Sequence, residues 1–265
     1  MGLGLLSVLV AFSLNTSWAL DKASSGTPAD SLSITPIDGH SLFNDSADQA
    51  RSSIDMYMFH LSENGSIQHL IQAQQRGVKV RIILDKKTLE GAKAKAIFTQ
   101  LQQAGISARA SSEGFSITHA KAAVFDNSWS LVTSINLTNT DQYTRDFGIK
   151  TYDTDVRDEI EKVFAADWDN ATNGTINTPD LSVQKLVWSP VNSKNKIISF
   201  IQSARSSIEL EVENLGDEDV IAALKERAQQ QVKVTVIVPA CVEGSGLRNL
   251  PYMKDLASGG VDARF

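Results

Sequence analysis

The run Thr118-His119-Ala120-Lys121-Ala122-Ala123-Val124-Phe125-Asp126, followed by Thr133-Ser134-Ile135-Asn136, places an imidazole, an ammonium, a hydroxyl and a carboxamide on two short strand-like stretches. Side chains repeat every second residue along a strand, so His119 and Lys121 share a face and can reach one ligand. Asp126-Asn127-Ser128 suits a reversal because Asn tolerates positive φ, and Trp129 to Ile135 is rich in β-branched and apolar residues. The returning strand brings Ser134 and Asn136 beside His119. A cation, a neutral nitrogen nucleophile and two hydrogen-bond donors around one point make a site for a phosphate oxyanion, with the imidazole placed to attack phosphorus.

This stretch resembles the H-x-K-x4-D signature of the phospholipase D superfamily. Ser134 and Asn136 stand at the spacing of that family's trailing G-S-x-N, and Thr133 replaces its glycine, a departure that removes no functional group. The resemblance implies an α/β fold of two repeated phospholipase D-like halves, each an α/β/α sandwich, and a chemistry that needs neither metal nor cofactor. In that family one histidine becomes a phosphohistidine, while a second, from the other half, serves as acid and then as base for water. Carried over, His119 is one of the pair, Lys121 and Asn136 hold non-bridging phosphate oxygens, and Ser134 supports them. Asp126 completes the signature but lies out of phase with His119, so within the catalytic set it is expected to orient or to serve structure. A carboxylate should hold the far ring nitrogen of His119 and fix its tautomer. Asp146, in Arg145-Asp146-Phe147, is the candidate, the alternative being a surface aspartate paired with Arg145.

The other histidines carry weaker signals. His60 follows a strand at the edge where α/β sheets hold ligands. His69 falls on the polar side of a helix, and His40 in a loop. Lys86 and Lys87 follow a strand and read as a solvated pair, while Glu209, Glu211 and Glu213 alternate with apolar residues as a half-exposed strand does.

The elements that must position these groups are written twice. Pro36, Ala50-Arg51-Ser52-Ser53-Ile54 and Val78-Lys79-Val80 recur 154 residues later as Pro190, Ala204-Arg205-Ser206-Ser207-Ile208 and Val232-Lys233-Val234. Leu101, Gly105 and Ala108-Arg109 recur 155 residues later, as Leu256, Gly260 and Ala263-Arg264. Such spacing marks an internal duplication. In the first copy the patterns predict a helix over 46–52, a strand over 54–59, a helix over 66–76, a strand over 78–84 and a helix over 92–104. In the second they predict a strand over 208–212, a helix over 219–230, a strand over 232–238 and a helix over 252–258, and between the copies an amphipathic helix over 156–168. Strands alternating with helices give an α/β sheet covered on both faces.

The expected organisation is a signal peptide over 1–19, a flexible entry over 20–33, a first repeat over 34–169 that holds the motif, a linker over 170–184 and a second repeat over 185–265. A histidine of the second copy, 155 residues beyond His119, would fall near position 274, so the second half is expected to be incomplete at Phe265. A homodimer bringing together two copies of His119 is one way to restore the pair.

With 42% hydrophobic and 21% charged residues in 265, the composition is that of a globular chain. Its net charge of −6 repels polyanions, which favours a phospholipid over nucleic acid as the phosphodiester substrate. Gly2 to Leu14 is apolar and short, and Ser17-Trp18-Ala19 offers a cleavage site, so a secreted or periplasmic location is expected, with an uncleaved anchor as the alternative. Cys241 is the only cysteine; it excludes a disulfide within the chain and is expected to be a buried apolar filler. The sequence thus leads to an exported phospholipase D-like phosphodiesterase, with a secreted nuclease of the same superfamily and a catalytically silent phosphate- or lipid-binding module as alternatives.

Overall fold

A computed structural model describes residues 28–242 and 246–265; the segment 1–19 lies outside them. Contacts divide the chain into two compact units, whose described parts are 28–185 and 186–265.

The first unit contains β1 (Ser31–Ile34), α1 (Ser41–Gln49), β2 (Ser53–Met58), α2 (Asn64–Gln75), β3 (Lys79–Leu84), α3 (Ala92–Gln103), β4 (Ser107–Ala110), β5 (Ala122–Phe125), β6 (Trp129–Thr133), β7 (Phe147–Thr151) and α4 (Thr154–Asn173). Its seven strands form one sheet of order β1-β7-β6-β5-β2-β3-β4. The run β2-β3-β4 is parallel, and every pairing from β2 through β5, β6 and β7 to β1 is antiparallel.

Alternation along the strands sorts the core between two faces. Ile54, Met56 and Met58 join Val80, Ile82 and Leu84 under Phe43 of α1, Ile67 and Leu70 of α2 and Leu101 of α3. Tyr57 and Ile83 point the other way, against Phe164 of α4, with the Tyr57 and Phe164 rings edge-on at 5.2 Å. The sheet is therefore covered on both sides, as its apolar strands require.

Several boundaries differ from expectation, two of them because a side chain supplies a backbone partner that periodicity does not reveal. The first helix ends at Gln49 rather than Ser52, because the N–H groups of Arg51, Ser52 and Ser53 turn to the Asp126 carboxylate. The helix expected over 156–168 runs from Thr154 to Asn173. Asp153 caps its first turn by accepting from Asp155 N and Val156 N, and Gly174, at φ 66°, ends it in the left-handed conformation that glycine adopts without strain. The linker expected from residue 170 thus begins inside α4. Ser31 to Ser33, placed in the flexible entry, belong to edge strand β1, whose ladder to β7 is backbone hydrogen bonding with only Ser33 buried along its outer three residues.

The second unit contains α5 (Ser193–Ser203), β8 (Ser207–Glu211), α6 (Glu218–Gln229), β9 (Lys233–Ile237), α7 (Leu250–Ser258) and β10 (Asp262–Arg264), with a parallel sheet of order β10-β9-β8. Ile208, Leu210, Val234 and Val236 pack with Leu224 of α6 and Leu256 of α7. Ser53 pairs with Lys79 in the first unit and Ser207 with Lys233 in the second, the same register 154 residues on. Cys241, expected to be buried, is exposed: β9 has ended at Ile237, so the thiol is on a loop and packs in no core.

Candidate active site

The candidate residues converge at one edge of the first sheet, where β2, β3 and β6 end and β5 and β7 begin. His119 and Lys121 lie just before β5, and Thr133 N donates to Lys121 O at 3.0 Å, extending the pairing of β5 with β6 by one residue. That keeps the two side chains on one side. Lys121 Nζ lies 3.1 Å from Nδ1 and 3.2 Å from Nε2 of His119 and donates to His119 O at 3.0 Å. Lys121 as a residue is 5% exposed, and its ammonium also stands 4.9 Å over the Phe59 ring, against which His119 packs at 4.3 Å. Burial and then the positive charge of Lys121 and the neighbouring His60 push His119 down to about pKa 4, with the carboxylate of Asp85 pulling the other way. The imidazole is therefore neutral at ordinary pH, as a nucleophile must be.

The end of β6 supplies the two other expected groups. Ser134 Oγ donates to Asp146 Oδ1 at 2.6 Å, and Asn136 Oδ1 accepts from His60 N at 3.3 Å. Thr133 stands where the resembled pattern has glycine, and its partner across the ladder is Gly148. A Cβ on Gly148 would meet Thr133 Oγ1 at 3.1 Å, so the chain keeps its small residue on the neighbouring strand instead. Thr133 Oγ1 uses the space to donate to Phe147 O and accept from Ile135 N, both at 2.9 Å, which fixes the turn into Ser134 and Asn136.

Asp146 enters the site by another route than the one expected. Its oxygens accept from Ser134 Oγ and Thr144 Oγ1, not from the His119 ring, so it positions Ser134 rather than fixing the tautomer of His119. Burial raises its pKa, against hydrogen bonds from Ser134 and Thr144. Arg145 does not pair with it either; that guanidinium donates to Thr35 O at 3.2 Å.

Asp126 must be removed from the catalytic set. It sits at the far end of β5 from His119, where Oδ1 and Oδ2 accept from Arg51 N, Ser52 N, Ser53 N and Ser52 Oγ at 2.6 to 3.0 Å. Burial alone would raise its pKa, but these donors bring it below the ordinary carboxylate value. Its φ of 55°, with 47° at Asn127, makes the reversal between β5 and β6. Asp126→Ala is expected to lower stability by about 1–3 kcal/mol, the cost of stranding several donors, in urea unfolding, with the kcat of the folded protein unchanged.

Two residues near His119 carried little or no sequence signal. Asp85, fully buried after β3, accepts from Lys87 N and Thr88 N through Oδ1 and from Thr118 N through Oδ2 at 2.8 Å, which holds the backbone one residue before His119. An aspartate ending an apolar strand at the ligand-holding edge is the pattern that could have pointed to it. His60 also belongs here, its ring 4.0 Å from that of Phe59. Of the remaining histidines, His69 Nδ1 pairs with Asp48 at 2.7 Å, and His40 is buried with Nδ1 3.9 Å from Glu63 and hydrogen-bonds the backbone of Asn136.

Residues 44–168 match the family model described as cardiolipin synthase, PLD-like domain. No curated protein sequence matches the chain. Among solved structures it is similar to Nuc, a phospholipase D family member from Salmonella typhimurium, at 22% identity and TM-score 0.50, over 53% of this chain and 95% of that one. It is similar to a polyphosphate kinase from Porphyromonas gingivalis at 21% identity and TM-score 0.59, over 79% and 38% of the two chains. A phosphatidylserine synthase from Haemophilus influenzae Rd KW20 gives 12% identity and TM-score 0.63, over 84% and 66%. At these identities the likeness to solved structures is one of fold. The matched segment contains His119, Lys121, Ser134, Asn136 and Asp146. The chain thus carries, over residues 44–168, a PLD-like domain of the phospholipase D superfamily.

Proposed function

We propose that the chain cleaves phospholipid phosphodiesters, by hydrolysis or by transfer to an alcohol, through a phosphohistidine at His119. A neutral ring nitrogen of His119 attacks phosphorus, the bond to the headgroup oxygen breaks, and that oxygen leaves with a proton as the alcohol. Water or another alcohol then attacks phosphorus, the P–N bond breaks, and the imidazole is regenerated. Lys121 compensates charge on the non-bridging oxygens as the attack proceeds, and Asn136 and Ser134 supply further hydrogen bonds.

The observation that carries this reading is the contact of His119 with the buried Lys121, whose ammonium, together with the larger effect of burial, lowers the pKa of the ring and sets a cation where the phosphoryl oxygens gather charge. A net charge of −6 favours a lipid ester over a polynucleotide, since a polyanion must approach against the protein's field. Export, as expected from residues 1–19, would bring the enzyme to lipid outside the cytoplasm.

The test incubates the protein with phosphatidylcholine vesicles and, separately, with single- and double-stranded oligonucleotides, and maps any acid-labile, alkali-stable phosphoryl adduct by mass spectrometry. Choline release with an adduct on His119 is the expected result. Cleavage of oligonucleotide alone would make the chain a nuclease, and binding of either without turnover would make it a silent binding module.

A further inference from the structure

A phosphodiester held at His119 must place its two alcohol parts somewhere. Within the first unit lies a cleft of about 660 Å³, a size that suits a small-molecule ligand, lined by Lys86, Lys87, Glu90, Glu113, Phe115 and Ser116.

Its two walls follow neighbouring strands, β3 and β4. One wall is the turn after β3, where Asp85 accepts from Lys87 N and Thr88 N, both at 3.0 Å, and a 3-10 turn over Thr88–Glu90 follows. The other is the loop from β4 to β5. Lys86 N fixes its start by donating to Ser111 Oγ at 3.2 Å, and Thr118 N fixes its end by donating to Asp85 at 2.8 Å. One buried carboxylate therefore holds both walls, and the same contact sets the backbone next to His119, three residues beyond Ser116.

The lining carries both signs of charge. Lys86 and Lys87, expected as a solvated pair, differ: the Lys86 side chain is 18% exposed and pairs with Glu113, whereas Lys87 and Glu90 are exposed and face the cleft. The acyl-bearing half of a lipid would strip water from these charges and replace it with nothing, so the polar half belongs here. A cation and a carboxylate in one cleft complement a headgroup that itself carries a carboxylate and an ammonium. Ethanolamine or choline would leave Lys87 without a counterpart. Ser116 adds a hydroxyl, and the half-buried Phe115 ring gives the headgroup carbons an apolar wall.

We infer that this cleft is the headgroup subsite and that it selects amino-acid headgroups, Lys87 reading the carboxylate and Glu90 the ammonium. The inference rests on the phospholipid reading and narrows it to one headgroup class. No bond forms or breaks in the cleft, which acts through binding alone.

The test compares serine, ethanolamine and choline phospholipids with the same short acyl chains, presented to the whole chain as monomers below micelle formation. The parent is expected to cleave the serine ester with a kcat/KM about 5–10-fold above that of the ethanolamine ester, the size of one charge-assisted contact in a partly solvated cleft. Lys87→Met should lose that preference through KM rather than kcat, and Lys87→Glu should reverse it. Lys87 is exposed, so thermal unfolding of both variants should match the parent. A parent that cleaves the esters without preferring serine, or a Lys87→Met variant that keeps the preference, would overturn the headgroup assignment and leave the phosphodiesterase reading standing. A parent that cleaves none of the three would overturn both.

Discussion

His119→Ala is expected to abolish phosphodiester turnover, with kcat falling on the order of 10⁴-fold or more, because removing the atom that forms the covalent intermediate removes the reaction path and not one contact along it. The same change should move stability by no more than about 1 kcal/mol. The ring is half-buried against Phe59, so its loss forfeits some packing, but it also relieves an unfavourable arrangement: an imidazole kept neutral by burial and by the adjacent Lys121 ammonium. Headgroup release, adduct formation and urea unfolding measured together decide the matter. Surviving adduct formation would remove His119 from the mechanism. A large loss of stability with proportionate loss of activity would make the residue part of the fold instead.

The division between what the sequence disclosed and what it did not follows from the range of each signal. The hairpin that carries the motif was legible because its information is local: apolar and β-branched runs on both sides of Asp126-Asn127-Ser128, and a period of two that puts His119 and Lys121 together. The duplication was legible because register is preserved with it, as Ser53↔Lys79 and Ser207↔Lys233 repeat at one offset. Pairings between distant segments were not. No local pattern says that β5 lies antiparallel beside β2, and that single pairing brings His60 toward His119 and sends Asp126 to the opposite edge, under the backbone of Arg51, Ser52 and Ser53. The role of Asp85 was hidden for the same reason, since Thr118, whose N–H it accepts, lies 33 residues away. Asp146 was found as a residue but not in its contact. Spacing can place a carboxylate near a histidine, but only the turn from β6 into Ser134 decides which hydroxyl it meets.

Lys121→Met is expected to lower kcat about 10²–10³-fold, the cost of removing one preorganised charge from a developing oxyanion. Methionine keeps an apolar stem of similar length and removes only the cation, and because it replaces a lysine that is 5% exposed, stability should not fall. The informative consequence is in the pH profile. The pKa of His119, about 4, is depressed first by burial and next by Lys121. Taking away a neighbouring positive charge makes protonating the ring easier, so the pKa rises; burial remains, so it should stay below the ordinary 6.5. Because the protonated ring cannot attack phosphorus, the acid limb of kcat/KM should move to higher pH in the variant, and the His119 ring proton in an NMR titration should move with it. Lys121→Arg should rescue little, since a planar guanidinium does not fit the place of a compact ammonium set against His119 and Phe59. An acid limb that stays in place while activity falls would mean that Lys121 serves the phosphate alone and that burial by itself keeps His119 neutral.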